Sequence, residues 1–266
     1  MKRFALFLLS CLAVSSTARS ATVYALQFEG PLTRVSDDPC REFLGQSQLV
    51  FHNSLAATAI IHLLDTSNGG PQAGAQDVAI SAGRTISVLV GEHGWFPPAP
   101  FSVYAVTLDV PEGVVMVDRA EPSGLDTGRP CSPFPGNPIL VRGALLLPTT
   151  STLTAPSEQR TFLAADLGDL TNNVYASVFN AATNPATAVI TAYRDCDDAV
   201  IGTVTVTLAA QTVRQVAIPG DYSFCIGSES YGRYLTVVVD QPSFTVISTA
   251  DDDPFKKMSM GISAGQ

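Results

Sequence analysis

Apolar and polar residues alternate along most of this chain. Between Thr203 and Leu208, the residues Val204, Val206 and Leu208 fall on one side and Thr203, Thr205 and Thr207 on the other. Tyr104, Val106, Leu108 and Val110 alternate in the same way with Ala105, Thr107 and Asp109. A period of two places successive side chains on opposite faces of a strand, whereas an amphipathic helix needs apolar residues every three to four positions. The first half accordingly predicts strands at Val23–Phe28, Gln46–His52, Thr58–Leu64, Gln76–Ile80, Thr85–Val90, Ser102–Val110 and Val114–Val117. Gly, Pro and Asn between them supply the turns. A further apolar stretch, Ile139–Leu147, either extends that set or opens the next.

The chain also repeats itself. Leu49–Asp65 parallels Ala176–Asp195, with Val50 and Phe51 matched to Val178 and Phe179; Asp77–Ile86 parallels Val204–Val213; Val106–Pro111 parallels Val237–Pro242. The opening from Thr22 parallels that from Thr161 more loosely. Matches that keep their order over so long a period indicate a duplicated domain rather than a solenoid. The expected fold is all-β, two tandem immunoglobulin-like antiparallel β-sandwiches of about seven strands each. The expected organisation is a signal peptide over 1–20, a first sandwich over 21–147 with long loops at one end, a linker over 148–159 rich in Thr, Ser and Pro, a second sandwich over 160–250, and a flexible tail over 251–266.

Composition and charge narrow the class. Apolar residues make up 46% of the chain, and charged residues only 15%, against about 25% in ordinary soluble proteins. With 20 glycines and 18 prolines as well, this argues against coiled coils and disorder. A net charge of -9 repels phosphate, so nucleic acid is not an expected partner. Lys2 and Arg3 precede an apolar run from Phe4 to Val14 and then small residues, the pattern of a secretory signal cleaved after Ala18 or Ser20. The run is too short to span a bilayer and no later segment offers a span. Cleavage after Ser20 removes Lys2, Arg3 and Arg19 but no acid, which leaves the mature chain more acidic still. The expected location is outside the cell, in the periplasm or at the cell surface.

Export leaves Cys40, Cys131, Cys196 and Cys225, an even number with no C-x-x-C spacing. In an exported chain this favours two structural disulfides over a metal site. If strands run alternately up and down, Cys40 and Cys131 share an end of the first sandwich and Cys196 and Cys225 an end of the second, which favours pairing within each domain. In the chain-entropy model such bridges contribute about 3 to 5 kcal/mol each.

An Asn follows an early strand in both halves (Asn53, Asn180), an Ala-Gly or Ala-Gln turn precedes the next (Ala82-Gly83, Ala210-Gln211), and Tyr-containing strands end in Asp and Pro (Asp109 with Pro111, Asp240 with Pro242). This arrangement resembles the bacterial extracellular immunoglobulin-like and fibronectin-III-like modules, in particular the adhesion-related type often called CARDB. The resemblance implies a sandwich fold and a role in adhesion.

Four long connections converge at one end of the first domain, and one of them carries His93, Trp95, Phe96 and Phe101. Long loops on a rigid sandwich are where binding usually resides, so these four residues form the expected binding loop, with capping of the core as the competing use. No catalytic residue, metal site or cofactor is expected. The Gly-x-Ser-x-Gly string at Gly261, Ser263 and Gly265 lacks the helix that an exposed nucleophile requires. The acids at Asp37-Asp38, at Asp195 with Asp197 and Asp198, and at Asp251–Asp253 do not follow a calcium-loop spacing. The expected function is that of a secreted, non-enzymatic adhesion, scaffold or accessory binding module with a protein or glycan partner at the bacterial envelope. The alternatives are a carbohydrate- or calcium-dependent module using the loop end, and a hydrolase with an unrecognised site.

Overall fold

A computed structural model describes residues 19–34, 41–66, 72–89, 102–126, 145–164, 172–194, 196–218, 233–251 and 260–264. The alternating pattern is realised as strands, and among the described residues there is no helix. In chain order the strands are β1 (Ser20–Arg34), β2 (Arg41–Asn53), β3 (Ala59–Thr66), β4 (Gln72–Ile80), β5 (Thr85–Leu89), β6 (Ser102–Pro111), β7 (Val114–Asp126), β8 (Leu145–Leu146), β9 (Thr149–Thr150), β10 (Gln159–Ala164), β11 (Asn172–Asn180), β12 (Ala186–Arg194), β13 (Val200–Leu208), β14 (Val213–Ala217), β15 (Arg233–Val239), β16 (Ser243–Asp251) and β17 (Met260–Ala264). All seven strands expected in the first half are present, and β1, β2 and β7 extend well past their expected limits.

All pairings are antiparallel, and both halves use one scheme. β1-β6-β3-β4 in the first corresponds to β10-β15-β12-β13 in the second, and β5-β2-β7 corresponds to β14-β11-β16. The second half keeps two four-stranded sheets, whose inward residues form one apolar cluster that includes Phe162, Val178, Ile190, Leu208, Leu235 and Ile247. Two antiparallel sheets sharing a core are a sandwich-like arrangement. In the first half β1 leaves β6 at Glu29 and continues along β2 to Arg34, with a register shift between Pro31 and Thr33. That crossing merges the strands into one nine-stranded sheet around a core of Leu49, Phe51, Ile61, Ile80, Val106 and Leu108.

The register of the repeat differs from the sequence match. Asn53 donates from Nδ2 to the Ala57 and Ile80 carbonyls, each at 2.8 Å, and accepts from Leu55 N at 2.9 Å. Asn180 donates to the Asn184 and Ala209 carbonyls at 2.8 and 2.9 Å and accepts from Ala182 N at 3.0 Å. Aligning these two buried asparagines puts Phe51 over Val178 and His52 over Phe179, one residue from the match that sequence similarity suggests. A slip of one residue exchanges the faces of a strand. Phe51 and Val178 fill the two cores, while Phe179 faces away from its own core. Likewise Gly113 O and Pro242 O occupy the same place, accepting from Ser54 N and Ala181 N. Asp109 and Pro111 are therefore not the counterparts of Asp240 and Pro242. The turn match does hold: Gly83 and Gln211 both adopt the left-handed conformation, at φ 65 and 52. Only the glycine adopts it without steric cost.

A third apolar cluster joins the halves. Leu26, Val103 and Ala105 pack with Leu147, Phe179, Val213, Phe244 and Val246, and the Tyr24 and Phe179 rings lie 6.2 Å apart. The expected linker is part of this contact. Thr149–Thr150 pairs with β1, Leu153 packs on the cluster, and Thr154 exchanges backbone hydrogen bonds with Ser243. Leu145–Leu146, the end of the ambiguous apolar stretch, pairs with β7 of the first half. The tail expected to be flexible contributes β17, which lies along β16 from Val246 to Ala250.

Candidate functional site

Most of the expected binding features fall outside the described residues. That holds for the loop with His93, Trp95, Phe96 and Phe101 and for Cys40, Cys131 and Cys225. Cys196 sits in the β12–β13 turn and is disulfide-bonded. Among the described residues no group of His, Cys, Asp or Glu is arranged to hold a metal ion, and no helix is long and apolar enough to cross a membrane. The described histidines lie on outer faces. His52 Nδ1 bonds Thr85 Oγ1 at 2.9 Å, and His62 Nδ1 bonds Asp77 Oδ1 at 2.6 Å, with both members of the second pair more than half exposed. Ser263, centre of the Gly-x-Ser-x-Gly string, lies in β17 opposite Ile247.

A buried polar pair escaped the sequence reading. Gln27 on β1 donates from Nε2 to Asp118 Oδ1 on β7 at 2.7 Å, and the residues are 1% and 3% exposed. Among the described residues Gln27 Oε1 and Asp118 Oδ2 have no hydrogen-bond partner. Burial favours the uncharged acid, and it raises the Asp118 pKa from the ordinary 3.8 to about 7 against the opposing effect of the Gln27 bond. Alternation could have found this residue, since Asp118 takes an inward position directly opposite Leu49.

The second half presents the most organised surface. Residues that alternate with the core on β10, β15, β12 and β13 form the outer face of this sheet, and cross-strand register arranges them in rows. Leu163, Tyr234, Tyr193 and Val200 line up across all four strands; beside them run Thr161, Thr236, Thr191 and Thr203. The Tyr193 and Tyr234 rings stack with centroids 4.7 Å apart and planes 6° from parallel. The row is open at both ends, with Leu163 73% and Val200 60% exposed. Neither row contains a formal charge.

Two of the clustered acids, Asp197 and Asp198, hold this edge, whereas Asp37, Asp38, Asp195, Asp252 and Asp253 lie outside the described residues. Asp197 accepts from Nε and Nη2 of Arg194 and from Ala199 N, and the Arg194 bond is the first cause of a carboxyl held below its usual range. Asp198, in the left-handed region at φ 57, accepts from the Tyr234 hydroxyl at 3.1 Å. Desolvation and then this carboxylate push the Tyr234 phenol above its ordinary value, so it remains a proton donor at neutral pH.

No protein-family model matches the chain, and no curated protein matches it in sequence. A solved structure of a Pleurotus ostreatus lectin in its apo form aligns at 10% identity over 91% of this chain and 75% of that one, with a TM-score of 0.16. A likeness of that size carries no argument about fold or activity.

Proposed function

We propose that this protein is a secreted, non-enzymatic adhesion, scaffold or accessory binding module of the bacterial envelope or cell exterior, built from two tandem immunoglobulin-like sandwiches. The observation that carries this reading is the shared pairing scheme of the halves together with the apolar cluster that fuses them. Two modules locked through a buried interface hold their outer faces and loop ends at a fixed spacing, which suits presentation of a binding surface. The signal-like N-terminus supplies the location. The disulfide reading gains support from topology. Cys40 precedes Arg41, which pairs with Asp126, and Cys131 follows a few residues beyond. Cys196 follows Arg194, which pairs with Arg233, and Cys225 precedes Arg233 in the chain.

Expression of the full chain in a bacterium with fractionation tests the reading. A processed N-terminus in the periplasm or medium, Cys40 joined to Cys131, Cys196 joined to Cys225, and retention of the purified protein on bacterial envelopes are expected. An unprocessed cytoplasmic product, or Cys40 joined to Cys225, would overturn it.

A further inference from the structure

The first strand of the fold reaches further back than the apolar pattern requires. Alternation predicts a strand from Val23, whereas pairing of β1 with β6 begins at Ser20, opposite Pro111, and continues through Ala21 opposite Val110 and Thr22 opposite Asp109. Thr22 also donates from Oγ1 to Asp109 Oδ1 at 2.8 Å. Ahead of the strand, the Arg19 carbonyl accepts from Glu112 N at 2.8 Å, which ties the chain to the turn between β6 and β7. Following the strand pairing outward from the two buried asparagines makes Ser157 the counterpart of Ser20. There the chain turns: Ser157 takes the left-handed conformation at φ 63, and β10 begins only at Gln159. Arg19 and Ser20 are therefore built into the first half at a place where the second half has a turn.

We infer that the export signal is cut after Ala18, so that Arg19 is the first residue of the mature protein. The inference rests on the reading of the N-terminus as a secretory signal, and by sequence alone that reading leaves two sites equal. Ser16 with Ala18, and Ala18 with Ser20, both put small residues at the third-last and last positions before the cut. The fold makes the sites unequal. The Ser20–Ala21 peptide bond lies inside β1, between the Ser20–Pro111 and Ala21–Val110 pairs, and a protease needs chain freed from such pairing. The Ala18–Arg19 bond precedes the strand. A cut after Ser20 would also remove the carbonyl that Glu112 N bonds and the residue opposite Pro111, leaving the end of β6 without its partner. A cut after Ala18 keeps both, and it keeps the cation of Arg19 in an otherwise acidic chain.

Terminal sequencing and intact mass of the full chain, expressed in a bacterium and recovered from the periplasm or medium, test the site. A mature protein that begins Arg19-Ser20-Ala21 is expected. Ser20→Leu puts a bulky residue at the last position of the second site only, and it should leave both the yield of processed protein and its N-terminus unchanged. Ser16→Leu spoils the third-last position of the first site only, and the Arg19 terminus should vanish from its product. A mature protein beginning at Ala21, loss of processing in Ser20→Leu, or an Arg19 terminus that persists in Ser16→Leu would each overturn the assigned cut while leaving the export reading intact. An unprocessed chain retained in the cytoplasm would overturn both.

Discussion

The two halves answer the same topological question with different side chains. Asp118 in β7 and Ile247 in β16 occupy equivalent positions, opposite Leu49 and Ala176 respectively. Gln27 has Ala164 as its counterpart by the same register. The second half buries Ile247 in a continuous apolar core, whereas the first buries a carboxyl and an amide that each leave one oxygen without a partner among the described residues. A second contrast lies on the outer faces. His52, Thr85 and Val115 are exposed in the first half, while their counterparts Phe179, Val213 and Phe244 are buried against β1 and β6. Topology thus leaves the chemistry of a position open. What covers a face decides whether apolar residues there are a core or a surface.

The interface contrast can be broken most severely by Phe179→Ala. Loss of a buried aromatic is expected to cost about 4 kcal/mol. Because the ring lies between the halves, calorimetry should also show one melting transition becoming two. A single transition at the original temperature would show that the halves do not stabilise each other.

The polar pair gives the next largest effect. The native state holds a proton on Asp118 that the unfolded chain releases, since the native pKa is raised from 3.8 to about 7. The associated stability is complete below the unfolded value and is lost as pH rises through about 7. Asp118→Leu combined with Gln27→Leu, which removes both buried polar groups, should stabilise the protein by about 3 kcal/mol more at pH 8 than at pH 4. Denaturant unfolding at the two pH values measures this, and equal effects at both would show that Asp118 does not titrate on unfolding.

The shared asparagine bonds sharpen the equivalence of the halves. Asn53→Ala and Asn180→Ala should each cost about 2 kcal/mol, because each removes three bonds from a buried side chain to buried or part-buried backbone groups. A large difference between them in urea midpoints would argue against equal roles. The smallest effect is expected from His62→Ala, within about 0.5 kcal/mol, because the His62–Asp77 pair is exposed.

Alternation of Val204, Val206 and Leu208 with threonines was enough to place β13, and the similar alternation in Tyr104–Val110 placed β6. The repeat was also legible, but its register was not. Val50-Phe51 and Val178-Phe179 match as letters, whereas the buried bonds of Asn53 and Asn180 set the alignment one residue away. Phe179 matches the core residue Phe51 as a letter, but an apolar letter does not distinguish packing in its own half from packing against the neighbouring one. Similarly, the Thr, Ser and Pro content of residues 148–159 indicated a connection but not that Leu153 and Thr154 are held between the halves. The tyrosine stack was invisible because Tyr193 and Tyr234 are distant in sequence and meet only through β12–β15 pairing.

Local sequence by itself determined that this chain forms strands, that it does so twice, and that its N-terminus resembles an export signal. Side-chain alternation and turn residues act over a few neighbours, so they can be read without knowing the fold. Tertiary structure alone decided which faces became cores, which became the contact between the halves, and which remained open. Those outcomes depend on strands brought together from distant parts of the chain, as with the threonine row beside Tyr193 and Tyr234 and the carboxyl of Asp118 beneath Gln27.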